Sequence, residues 1–113
     1  PRGEHVGISG TNGLPGRLCY VNGTSPNSVK MGTTPIPRWE WHAVAYVRAG
    51  DRVRIYLDGQ LELETNAPAS ESPELFIGGR SDNDSNWEGR LDEVAVFHRA
   101  LSARELRRLS AAP

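Results

Sequence analysis

The sequence predicts an all-β fold, an antiparallel β-sandwich (jelly roll) carrying one short C-terminal α-helix. Three observations carry that prediction. Short runs of β-branched, aromatic and aliphatic residues recur along the chain, each ended by turn residues. An Asp58-Gly59 pair stands between two alternating runs, and this is the pair a type I′ hairpin favours because both central positions take positive φ. A convincing helix signature stands only near the end of the chain. A length of 113 residues fits one small domain.

Taken in order, residues 5–9 form the first strand, and Gly10-Thr11-Asn12-Gly13-Leu14-Pro15-Gly16 turns the chain. Residues 17–21 form the second strand, ending at Asn22-Gly23, and residues 29–31 a short third. Pro35 and Pro37 exclude residues 33–38 from a central strand, because proline has no N–H to give the ladder. Residues 39–47 read as a long strand, turned by Ala49-Gly50-Asp51 into residues 52–57. There Val53, Ile55 and Leu57 share one face, and Arg52, Arg54 and Tyr56 the other. Beyond the Asp58-Gly59 turn, Leu61 and Leu63 alternate with Gln60, Glu62 and Glu64.

The second half alternates loops and strands. Residues 66–73 are a polar loop, 74–77 a strand ending at Gly78-Gly79, 80–86 a second polar loop, and 90–97 the last strand. Residues 101–109 are the helix. Ser102 is its N-cap and Glu105, three residues on, completes a capping box; Leu101 and Leu106 form the hydrophobic staple. Arg107 and Arg108 suit the negative end of the helix dipole, and Leu106 and Leu109 share a side that would dock on a sheet.

Composition excludes more than it proposes. With 13 Lys+Arg against 14 Asp+Glu the net charge is −1, which argues against a nucleic-acid partner, since that needs a basic face. Hydrophobic residues make up 37% of the chain, enough for a core, yet no run approaches the roughly 18 apolar residues of a membrane span, so no membrane insertion is expected. The single Cys19 cannot form an internal disulfide, and no zinc spacing exists. Cys19 reads as a small buried hydrophobe; a reactive thiol would want a cationic setting. The chain opens Pro1-Arg2-Gly3-Glu4, without a starting Met or signal peptide, and so reads as a piece of a longer protein.

Several short pieces then fall into a recognisable order. They are Trp41-His42-Ala43-Val44-Ala45, Arg54-Ile55-Tyr56-Leu57-Asp58-Gly59, Phe76-Ile77-Gly78-Gly79, Glu88-Gly89-Arg90-Leu91-Asp92-Glu93-Val94 and His98-Arg99-Ala100-Leu101-Ser102, closing with Glu105-Leu106. In that spacing the chain resembles the laminin-G-like, concanavalin A-like lectin/glucanase superfamily, firmly over about its last 70 residues and loosely before them. The resemblance implies one domain over residues 1–113 that lacks the family's N-terminal strands. Such a chain is either the C-terminal part of a split domain or a shortened sandwich that protects its edges by self-association. A homo-oligomer, or association with another segment of the parent chain, is therefore expected. The resemblance also implies an extracellular or cell-surface binding module rather than an enzyme, for carbohydrate or alternatively for protein contacts. A glycoside hydrolase fragment is the third reading.

Candidate chemistry sits in three places. Glu62 and Glu64 are expected on one strand face about 7 Å apart, inside the glycosidase carboxylate range. A solvated face after a turn explains them equally, and the Glu-x-Asp-x-Glu pattern of the fold's glucanases is absent. Asp92 and Glu93 are adjacent in a strand and point to opposite faces; the inward one would need backbone donors or an Arg such as Arg54, Arg90 or Arg99. In the loop Ser81-Asp82-Asn83-Asp84-Ser85-Asn86, the side chains of Asp82, Asp84 and Asn86 offer three hard oxygens at alternate positions, a candidate weak Ca²⁺ site. The simpler reading is that the acids cap the turn as Asx residues do.

Arg80, Asn83 and Trp87 beside that loop are the candidate ligand contacts, with Trp87 either stacking on a sugar ring or plugging the sandwich. Trp41 is expected in the core, and Trp39, two residues before it on the same face, in the core or at its rim. His5, His42 and His98 lack metal spacing; His42 reads as a hydrogen-bonded strand residue and His98 as part of the turn into the helix. Asn22-Gly23-Thr24 and Asn83-Asp84-Ser85 match the N-glycosylation sequon, which matters only in a eukaryotic secretory pathway.

Overall fold

The computed structural model describes residues 4–8, 16–22, 29–37, 39–68, 95–97 and 99–111. These contain six strands and a helix: β1 (Glu4–Ile8), β2 (Leu18–Asn22), β3 (Val29–Met31), β4 (Val44–Ala49), β5 (Arg52–Leu57), β6 (Gln60–Asn66) and α1 (Ala103–Ala111). They form two antiparallel three-stranded sheets, β1-β2-β3 and β4-β5-β6. The all-β expectation with one C-terminal helix stands.

The core follows from the alternation of β5 and β2. Val53 and Ile55 are fully buried and Leu57 nearly so, and with Leu63 and Ala67 they pack against Leu18 and Tyr20 of the other sheet. Each buried Val, Ile or Leu among them contributes about 1.5–3 kcal/mol relative to exposure. The opposite face of the second sheet is covered by α1. Val47 and Tyr56 form a second apolar cluster with Leu106, supported by Ala45, Leu101 and Ala103. The second sheet thus lies between the first sheet and the helix, which explains why Tyr56, on the arginine face of β5, is buried.

Polar side chains tie the two sheets together at both edges. On one side Glu4 of β1 accepts from the Tyr20 hydroxyl at 3.0 Å, pairs with Arg48 of β4 and accepts from the Tyr46 hydroxyl. Arg48 also donates to the carbonyls of Gly50 and Ala67 at 2.8 and 2.7 Å. Burial, with the Tyr20 ring 6.3 Å away, pushes the Tyr46 phenol up to about 12. On the other side Glu62 of β6 accepts from the Thr34 N–H at 2.7 Å and from its hydroxyl at 2.8 Å, just past β3.

Four sequence expectations are corrected. The strand expected over residues 39–47 begins only at Val44. Trp39 adopts a left-handed φ of 68°, incompatible with an extended run. Leu61 and Leu63 do not share a face, because the β5–β6 pairing shifts between Ile55 and Tyr56: Leu63 opposes Ile55 while Leu61 opposes Tyr56. Glu62 is the extra residue of this bulge. Leu61 is accordingly 50% exposed while Leu63 is buried. Within α1 Leu106 is buried, but Leu109 is 54% exposed and does not dock. Residues 95–97, expected to end the last strand, are not strand, and Val96 and Phe97 are exposed. The strand expected over 74–77 and the polar loop expected over 80–86 lie outside the described residues.

Candidate functional site

The loop that precedes β4 is built on the β5–β6 hairpin. Asp58 and Gly59 take φ of 51° and 83°, the positive pair of a type I′ turn. Asp58 then reaches back to the neighbouring segment. Its Oδ1 accepts from the Ala43 N–H at 2.9 Å, its Oδ2 lies 2.8 Å from His42 Nδ1, and its own N–H donates to the Ala43 carbonyl at 2.7 Å. A carboxylate can only accept, so His42 Nδ1 carries the proton and donates. His42 Nε2 lies 3.4 Å from Glu40 Oε2, within ion-pair reach though without hydrogen-bond alignment. Partial burial works against ionisation of Asp58. The hydrogen bonds from His42 and the Ala43 N–H, together with the imidazole charge, outweigh it and hold the carboxyl below its usual 3.8.

Above this anchored root the chain projects Trp39, Glu40 and Trp41. Trp39 is 99% exposed and Trp41 66% exposed. Neither belongs to the core, contrary to the sequence expectation for Trp41. His42 is hydrogen-bonded as expected, though in the loop before β4 rather than in a strand.

The carboxylates expected to share a face are separated by the bulge. Glu64 sits with Arg52 and Arg54, which hold its carboxyl below the usual range through the Arg54 hydrogen bond first and their charges next. Glu62 is engaged by Thr34 on the other side of the strand. Two acids pointing apart, each already paired, do not frame one substrate. Cys19 is half-buried, and burial raises its thiol above 9.0, as a packing residue requires.

The remaining predicted site residues, Arg80, Asn83 and Trp87 as ligand contacts and Asp82, Asp84 and Asn86 as metal ligands, lie outside the described residues, as do Arg90, Asp92, Glu93 and His98. Among the described residues no group of three or more His, Cys, Asp or Glu is placed to hold a metal ion. Arg54 and Arg99, considered as partners for Asp92 or Glu93, are paired with Glu64 and Glu105. A polar cleft of about 300 Å³ opens where Tyr20, Asn22, Lys30 and Thr65–Pro68 meet. Its Asn22 amide is already held by the Tyr20 hydroxyl and the Pro68 carbonyl.

Two antiparallel sheets packed face to face, with a short helix on the outer face of one, define a β-sandwich domain. The chain belongs to the concanavalin A-like lectin/glucanases superfamily, its Laminin_G_3 family model matching residues 5–107. Among solved structures it is similar to residues 221–444 of an S-layer domain-containing protein from Clostridium thermocellum, with a TM-score of 0.57 and 23% identity. That likeness covers 98% of this chain and 64% of the other, so the chain spans under two thirds of its structural counterpart. Among curated protein sequences, none matches it.

The signal that could have taken Trp41 out of the core is the company of Trp39. Trp39 is flanked by Arg38 and Glu40 and follows Pro35-x-Pro37 by two residues, and a core strand seldom starts in that company.

Proposed function

We propose that this domain is a non-catalytic binding module for carbohydrate, acting at the cell surface as part of a larger protein. The observation that carries the reading is the state of the carboxylates among the described residues. Glu4, Asp58, Glu62, Glu64 and Glu105 are each engaged by an arginine, a histidine, a hydroxyl or a backbone N–H. Acid–base hydrolysis of a glycoside needs two carboxyl groups facing one another across the bond. Recognition needs only a shaped, polar and aromatic surface.

Membership of a superfamily of lectins and glucanases supports carbohydrate as the ligand, by analogy of fold. The S-layer domain-containing protein among similar structures supports the surface location. Ca²⁺ enters through the sequence alone, by the oxygens of Asp82, Asp84 and Asn86. A glycan array probed with the intact chain, with and without EDTA, tests the reading. Binding to defined glycans is expected, and loss of the signal in EDTA would assign Ca²⁺ a part. No binding to any glycan overturns it.

An assembly role is the second reading. It is favoured by Val6, Ile8, Val44 and Tyr46, which among the described residues lie on edge strands and are 38–46% exposed.

A further inference from the structure

We infer that the Trp39-Glu40-Trp41 loop is a stacking platform for a neutral pyranose chain, with Trp39 as its main contact. The inference rests on the carbohydrate reading above and names for it residues other than those of the 80–87 segment.

Neither packing nor stability accounts for Trp39. At 99% exposure the indole buries nothing. Its backbone at φ 68° is in the left-handed region, a costly conformation for a bulky side chain that persists only where surrounding structure over-determines it. A costly backbone that displays a large apolar ring to water points to contact with something outside the chain. The backbone under the platform is anchored. Its root at His42 and Ala43 is held by three hydrogen bonds to Asp58, itself fixed in the hairpin turn, so the loop's base need not be ordered by the ligand.

The residue between the indoles selects the ligand. Glu40, between the two tryptophans in sequence, is 58% exposed, with its carboxylate 3.4 Å from His42 Nε2. An apolar protein surface laid over the loop would strip water from that carboxylate and return no donor. An anionic glycan or a nucleic acid would gain nothing from that carboxylate. A neutral sugar meets both demands, because its ring C–H groups form a flat apolar face and its hydroxyls donate from the edge. Equatorially substituted, β-linked pyranoses present the flattest such face, so gluco-type chains fit best.

Calorimetric titration of the intact chain with cellohexaose and with chitohexaose tests the site, using Trp39→Gly, Trp39→Phe and Trp41→Ala. The wild type is expected to bind at least one probe. Trp39→Gly should weaken binding on the order of tenfold, the scale of one lost stacked ring, and Trp39→Phe should keep most of it. The melting temperature of Trp39→Gly should not fall, because glycine relieves the positive φ and no packed side chain is removed. Unchanged binding in Trp39→Gly and Trp41→Ala overturns the platform and leaves the carbohydrate reading intact. So does a wild type that ignores both probes yet binds another glycan on the array. A wild type that binds no glycan at all overturns both. A sharply lowered melting temperature in Trp39→Gly also overturns the platform, since it would give Trp39 a packing role.

Discussion

Gly59 shows how one residue can be constrained from two directions. Its φ of 83° already excludes a β-branched side chain without strain. A Cβ there would also stand 2.9 Å from Cγ and 3.3 Å from Cα of Arg107, so the helix crosses closely over the turn. Gly59→Val should therefore cost more than the roughly 1 kcal/mol of a strained backbone alone, and thermal unfolding should show it as a clear drop in Tm. An unchanged Tm would mean that the turn and the helix are not in contact. The positive-φ demand was legible in the sequence, because Asp-Gly between alternating runs has a direct physical meaning. The approach of Arg107 was not, since it depends on where a distant helix lands. Trp41 was misread for a related reason: it was placed by its match to a strand tryptophan of the family the chain resembles, whereas the left-handed backbone of Trp39 takes this segment out of the sheet.

At the scale of elements, local chemistry was readable and register was not. The capping box at the start of α1 is formed as its spacing demands, with Ser102 N–H donating to Glu105 Oε1 at 3.1 Å and Glu105 N–H to Ser102 Oγ at 3.2 Å. The bulge at Glu62 could not be read, because Leu-Glu-Leu-Glu looks like a perfect two-residue alternation whether or not one residue is extra. Two expected outcomes follow from these elements. The first concerns the bulge: a Cβ on Gly32 would sit 2.5 Å from Glu62 Oε2, so Gly32→Ala must push Glu62 off Thr34. The lost hydrogen bonds put the cost at about 1 kcal/mol or more. In denaturant melts the same substitution in a Glu62→Ala background should cost much less, and equal costs would refute the clasp. The second concerns pH. The hydrogen bond from Arg99, then that from the Ser102 N–H, lowers the Glu105 carboxyl from 4.5 to about 2. A depressed carboxyl stabilises the fold above its unfolded value and loses that contribution as pH falls through its folded value. The cap should thus hold at pH 5 and weaken progressively toward pH 2, and Glu105→Gln should flatten that part of the stability–pH curve.

Across the whole molecule the two sheets are stacked edge over edge, β1 above β4 and β3 above β6. The β3–β6 side is closed by Glu62 on Thr34, and the β1–β4 side by Glu4 on Tyr46 and Arg48. The second closure is less complete. Val6 and Ile8 of β1 remain 38% exposed, and Val44 and Tyr46 of β4 are 46% and 38% exposed, although all four project from the faces that carry the core. Among the described residues β1 and β4 each have one strand neighbour, so apolar side chains and a backbone edge coincide on this side. Such an edge invites pairing with another strand, and natural sandwiches usually guard it with charge or proline. Here β1 carries no proline and its one carboxylate, Glu4, is drawn inward to Arg48. The domain should therefore self-associate, or seat another segment of its parent chain, along β1 and β4. Sedimentation at high micromolar concentration should give a dimer or larger species, and the double variant Val6→Glu/Val44→Glu should shift it to monomer without unfolding it. A well-folded wild-type monomer at that concentration would remove self-association. An unshifted oligomer in the double variant would move the interface elsewhere on the sandwich.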